Sequence, residues 1–129
     1  MHKRQDQPPK APMISIVDDD EAVREATTDL VRSLGYGATG FGSVEEFLGS
    51  EELGTSDCVI TDVQMPGLSG IDLQQKLLAD GRNLPIIFIT AFPDERMRKR
   101  ALDAGAIGFL SKPCREELLI GCLQKALRS

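Results

Sequence analysis

The sequence predicts a single α/β domain in which a parallel sheet is covered by helices on both faces. Three observations carry that expectation. The 129 residues suffice for one hydrophobic core and are too few for two comfortable ones. From Met13 onward, short apolar runs alternate with segments of helical period five times over. The runs are continuous rather than alternating, as in strands buried on both faces.

Residues 1–12 are polar and proline-rich with no apolar stretch of the signal-peptide kind. They read as a disordered N-terminal tail, and residues 13–129 as the domain. Strands are expected at residues 13–17, 36–41, 58–61, 85–90 and 107–111. The second carries Gly37 and Gly40, with Gly42 just beyond, which suits a sheet edge. The first helix is expected to turn Val23, Ala26, Thr27, Leu30 and Leu34 inward and to stop at Gly35. The second and third open at Ser43-Val44-Glu45-Glu46 and Ser69-Gly70-Ile71-Asp72, where serine caps the helix and an acid reaches back. A fourth, after Asp94, turns Met97, Ala101 and Ala104 inward; a fifth turns Leu119, Cys122, Leu123 and Ala126. Right-handed crossovers distribute these helices over the two faces.

Composition excludes several classes of function. No apolar run approaches the roughly 20 residues of a membrane span, and 41% apolar with 27% charged residues suits a soluble protein. The formal charge of −5 opposes a domain-wide affinity for nucleic acid. Cys58, Cys114 and Cys122 form no C-x-x-C pair, and His2 lies in the tail. They predict free thiols packed as small apolar residues in a reducing cytoplasm.

In folds of this class the ligand sits outside the carboxyl ends of the strands. There the first strand is followed by Asp18-Asp19-Asp20 and the third by Asp62, the fourth ends at Thr90, and the fifth delivers Lys112-Pro113. Carboxylates a few Å apart repel by about 4 kcal/mol per pair at an effective dielectric near 20, so gathered acids require a cation. Mg²⁺ fits, because it takes oxygen ligands and commonly uses one or two carboxylates together with substrate phosphate. No calcium loop of the EF-hand type occurs. Taken singly, the aspartates would be a helix N-terminus, Lys112 a solvated lysine and Met65-Pro66-Gly67 a turn. Their coincidence at matching strand ends outweighs those readings. The run Gly35-Tyr36-Gly37-Ala38-Thr39-Gly40 matches the G-x-G-x-x-G dinucleotide fingerprint, but it follows a helix where that motif should follow a strand. A nucleotide-binding enzyme is therefore disfavoured, and no P-loop motif occurs.

Val17-Asp18-Asp19-Asp20, the stretch Thr61-Asp62-Val63-Gln64-Met65-Pro66-Gly67-Leu68-Ser69-Gly70, then Thr90-Ala91 and Lys112-Pro113 together resemble a CheY-like response-regulator receiver domain. The similarity spans about residues 13–128, and the surroundings of Asp62 are most similar to the FixJ-like subgroup. The resemblance implies a flavodoxin-like, doubly wound sheet of five strands in the order 2-1-3-4-5 with five helices. It implies that Asp62 is the phosphoacceptor and that Asp18, Asp19, Asp62 and the backbone carbonyl of Gln64 hold Mg²⁺. Lys112 and Thr90 then serve the phosphoryl oxygens, and Thr90 with Phe109 forms the switch, Phe replacing the commoner Tyr. The Lys112-Pro113 bond is expected to be cis. Cys114 stands where the family often has an aromatic residue, and Gln64 and Phe92 occupy positions that tune phosphoryl lifetime.

The implied donor is a sensor histidine kinase or phosphotransfer protein. The chain would catalyse its own phosphorylation and slow dephosphorylation, as a signalling switch more than an enzyme. The surface of the fourth helix, fifth strand and fifth helix carries Glu95-Arg96-Met97-Arg98-Lys99-Arg100 and Leu118, Ile120 and Leu127, and is a candidate homodimer face. Neither direct nucleic-acid contact nor membrane association is expected of this chain. FixJ-like relatives often continue into a helix-turn-helix domain, and none is visible up to Ser129. The competing reading is an unphosphorylated pseudo-receiver that serves as a binding scaffold.

Overall fold

The computed structural model describes residues 11–128. Residues 1–10 of the expected tail lie outside the described residues, while the Pro12 carbonyl accepts a hydrogen bond from the Gly37 N–H at 2.9 Å. The strands are β1 (Met13–Val17), β2 (Gly37–Phe41), β3 (Cys58–Asp62), β4 (Ile86–Thr90) and β5 (Gly108–Ser111). All pair in parallel, in the order β2-β1-β3-β4-β5, with glycine-bearing β2 at an edge as its composition predicts.

Among the described residues six helices cover the sheet where five were expected: α1 (Glu21–Ser33), α2 (Val44–Leu48), α3 (Glu52–Thr55), α4 (Gly70–Ala79), α5 (Glu95–Asp103) and α6 (Glu116–Leu127). The extra one arises because α2 stops at Gly49, a poor helix former, and Ser50 Oγ donates to the Phe47 carbonyl at 2.7 Å. The chain then re-forms one short turn, α3, before entering β3. The expected fourth and fifth helices are thus α5 and α6.

Successive strand residues face opposite sides, which explains the continuous apolar runs. Ile14, Ile16, Ile60 and Ile87 pack with Val31 of α1 and with Leu119 and Leu123 of α6. Val17, Val59 and Phe88 pack on the other side with Phe47 of α2, Leu73 and Leu77 of α4, and Ala101 of α5. β3 and β4 are buried throughout.

The expected inward face of α1 is rotated. Its fully buried residues are Thr28 and Val31, whereas Val23, Thr27 and Leu30 are half-buried and Ala26 is exposed. Those four line an open groove between α1 and α6, together with Ile89, Cys114 and Leu119. Thr28 tolerates burial because its hydroxyl donates to the Arg24 carbonyl at 2.7 Å.

Gly35 ends α1 at φ +96° and Ser69 with Asp72 forms a reciprocal capping box on α4, both as predicted. Asp20, read from the sequence only with the acid triplet, also caps α1. At α2 the acid overshoots, and Glu46 Oε1 accepts from the Gly42 N–H at 2.8 Å. Among the described residues no helix is long and apolar enough to cross a membrane. The three cysteines are free thiols; Cys58 is buried, and Cys114 and Cys122 are half-buried. Two cations of the α5 run pair with acids of their own helix, Arg98 with Glu95 and Lys99 with Asp103.

Candidate functional site

Strand register assembles the site. Val17 lies opposite Thr61, so Asp18 and Asp62 leave the sheet side by side. Thr90 lies opposite Ser111, and the Lys112 N–H donates to the Thr90 carbonyl at 2.8 Å, which places Lys112 beside the end of β4. The Lys112-Pro113 peptide is cis, as expected.

Lys112 Nζ stands 2.8 Å from Asp62 Oδ2 and 2.9 Å from Asp18 Oδ2, with only 17% of its side chain exposed. The other carboxylate oxygens are held by main chain: Asp62 Oδ1 accepts from the Gln64 N–H at 3.2 Å, and Asp18 Oδ1 from the Asp20 N–H at 2.9 Å. Asp19 is exposed, yet one carboxylate oxygen from each of Asp18, Asp19 and Asp62 lies within 4.8 Å of the others. Burial opposes the charge on Lys112, but hydrogen bonds from its ammonium to Asp62 and Asp18, and their negative charge, outweigh it and hold its pKa above the usual lysine value.

One ammonium facing three carboxylates leaves the cluster negative. Its donors are all hard oxygens, a set that fits a small divalent cation such as Mg²⁺.

Thr90 is buried at the end of β4, and its Oγ1 accepts from the Phe92 N–H at 3.2 Å. Gln64 is exposed and meets the site through its main chain. Phe109 stays out of the acidic cluster: its ring centroid packs 5.9 Å from that of Phe88 at 49°. The structure therefore brings Asp18, Asp19, Asp62 and Lys112 together, sets Thr90 and Gln64 against them, and places Phe109 in the adjoining core.

Two supporting residues escape the sequence reading. Arg24 Nη1 donates to the Asp18 carbonyl at 2.8 Å. Glu45 Oε2, on α2, accepts from the Leu68 N–H at 3.1 Å and ties down the loop after Asp62. A long cation one turn into a helix next to the acid triplet is a usable signal for Arg24. Glu45 offers none, since its partner is 23 residues away. The glycine run forms no phosphate loop, because Gly35 ends α1 and Gly37 and Gly40 lie within β2.

A doubly wound α/β domain with a lysine-bridged carboxylate pocket at its strand ends defines the class of protein. The family model described as response regulator receiver domain matches residues 14–124, so the chain belongs to that family of two-component signalling modules. It is similar to the response regulator protein TodT of Pseudomonas putida, 44% identical over 119 residues that cover 92% of this chain and 52% of TodT. It is also 35% identical to the transcriptional regulatory protein FixJ of Bradyrhizobium diazoefficiens, over 89% of this chain and 56% of FixJ. The chain thus spans about half the length of these curated relatives. Among solved structures, FixJ-N superposes with a TM-score of 0.82 at 30% identity, covering 93% of this chain and 96% of that one. A response regulator receiver protein from Burkholderia phymatum does so with a TM-score of 0.76 at 42% identity, covering 91% and 95%.

Proposed function

We propose that residues 13–129 act as a receiver that takes a phosphoryl group onto Asp62 from a sensor histidine kinase or phosphotransfer protein in the cytoplasm. The observation that supports this best is Lys112 bridging Asp62 and Asp18 beside the exposed carboxylate of Asp19. An oxygen of Asp62 forms the new P–O bond while the P–N bond to the donor imidazole breaks and its electron pair leaves on nitrogen. Asp18, Asp19, Asp62 and the Gln64 carbonyl would hold Mg²⁺, which when bound would neutralise charge on the transferring phosphoryl oxygens. Lys112 adds a point charge to the same oxygens.

Thr90 then exchanges the Phe92 N–H for a phosphoryl oxygen, loosening residues 91–93, and Phe109 moves inward. The altered surface is that of α5, β5 and α6, where Leu118 is half exposed and a second copy can dock. The transcriptional role named for FixJ belongs to a protein about twice as long, and this chain is assigned the receiving step alone.

Incubation with Mg²⁺ and acetyl phosphate tests the reading. Intact-mass measurement should show a single Mg²⁺-dependent adduct that Asp62→Asn abolishes without altering the circular dichroism spectrum. A protein that forms no adduct is a scaffold and sinks the proposal.

A further inference from the structure

The main chain at Asp18 is held from two sides. Its N–H donates to the Phe41 carbonyl at 3.0 Å, extending the pairing of β1 with β2, and its carbonyl accepts from Arg24 Nη1 at 2.8 Å. The arginine reaches that carbonyl along a slot on β2. A Cβ on Gly40 would stand 3.0 Å from Arg24 Cγ and 3.2 Å from its Cδ, and one on Gly42 would stand 3.5 Å from Nη1. Gly40 therefore permits a close approach, and a run that imitates a dinucleotide fingerprint has a packing explanation.

The Asp18 carbonyl shares a rigid peptide plane with the nitrogen of Asp19. A guanidinium on that carbonyl makes a charge-assisted hydrogen bond, stronger than a neutral one, and fixes the plane. The plane in turn sets where the Asp19 side chain departs. Asp18 has further anchors in Lys112 and the Asp20 N–H, whereas Asp19 forms no ion pair among the described residues.

We infer that Arg24 is a positioning residue for the cation site: it locks the Asp18-Asp19 peptide so that Asp19 faces Asp18 and Asp62, and Gly40 leaves room for its stem. The inference rests on the reading of Asp18 and Asp19 as Mg²⁺ ligands. It goes beyond that reading in assigning cation affinity to a residue that touches no cation and to a glycine of β2.

The test is Mg²⁺ affinity of the full chain by titration calorimetry, with Mg²⁺-induced change in Tm alongside, for wild type, Arg24→Ala, Arg24→Lys and Gly40→Ala. Loss of the outer support of a metal ligand commonly weakens binding about 10- to 100-fold, so Arg24→Ala should raise the Kd about tenfold. Gly40→Ala, which makes the arginine stem give way by a few tenths of an ångström, should raise it in the same direction and by less. Arg24→Lys keeps a cationic donor of similar reach and should recover most of the affinity. A purely structural arginine would lower Tm in the absence of Mg²⁺ and leave the Kd untouched, and that result overturns the inference. Should Arg24→Ala fail to fold, Arg24→Met, which keeps the stem and removes the donor, decides: an unchanged Kd overturns the inference, a raised one supports it. A wild-type chain that takes up no Mg²⁺ overturns the underlying reading together with this one, an outcome distinct from wild-type binding that the variants share.

Discussion

Gly70 lies so close beneath the carbonyl of Asp62 that a Cβ at position 70 would overlap that oxygen and stand 3.1 Å from the Phe88 ring. The Gly70 N–H donates to the Val63 carbonyl at 2.9 Å, so the first turn of α4 is pressed against the end of β3. The Asp62 carboxylate thus sits on a strand end with little freedom to shift.

Gly70→Ala should therefore destabilise the fold by about 2 kcal/mol or more, since the clash is with backbone that cannot rotate away. It should also slow formation of the acetyl-phosphate adduct, because relief of the clash moves Asp62. Urea denaturation midpoints and adduct rates check both, and wild-type stability in the variant would contradict the packing account.

Lys112 gives a pH dependence with a defined sign. Its pKa in the fold lies above the usual 10.5, so the stability from its pairing with Asp62 and Asp18 is fully present below about pH 10.5 and is lost as pH rises through the folded value. The Tm difference between wild type and Lys112→Met should hold steady from about pH 8 to about pH 10.5 and shrink above it. A difference that grows on the alkaline side would contradict the pairing.

Burial, followed by the charges of Cys122 and Asp57, pushes the Cys58 thiol from 9.0 up to about 12. The folded state thus favours the neutral thiol, and the stability this supplies is present below about pH 9 and lost as pH climbs towards about 12. At about pH 8, iodoacetamide should label native Cys114 and Cys122 slowly and Cys58 not at all, with all three labelled after unfolding. Peptide mass mapping that finds Cys58 labelled as fast as Cys114 would refute this.

The two faces of α1 and α6 should respond unequally to truncation. Leu123 is fully buried, so Leu123→Ala should cost about 2 to 5 kcal/mol through transfer and cavity contributions. Leu30 lines an open groove and is only half-buried, so Leu30→Ala should cost about 1 kcal/mol. Equal losses in urea midpoints would mean that the groove is closed in solution.

Much of the molecule is legible along the chain because the forces involved are local. Continuous apolar runs mark strands covered on both sides, Gly35 stops a helix that its neighbours continue, and Ser69 with Asp72 closes the start of α4 within four residues. The acids after β1 and β3, and the lysine after β5, are legible for the same reason: each follows directly on an apolar run, and parallel strands end on one edge.

What the sequence by itself determined is the class of fold, the strand ends and the residue types that gather there. Tertiary structure alone decided that Thr28 and Val31 rather than Leu30 bury α1, and that Lys112 contacts Asp62 across a separation of 50 positions. Helix rotation is set by the surface a helix meets, and pairing register by the sheet as a whole. Neither has a signature within the span over which hydrophobic period and capping act.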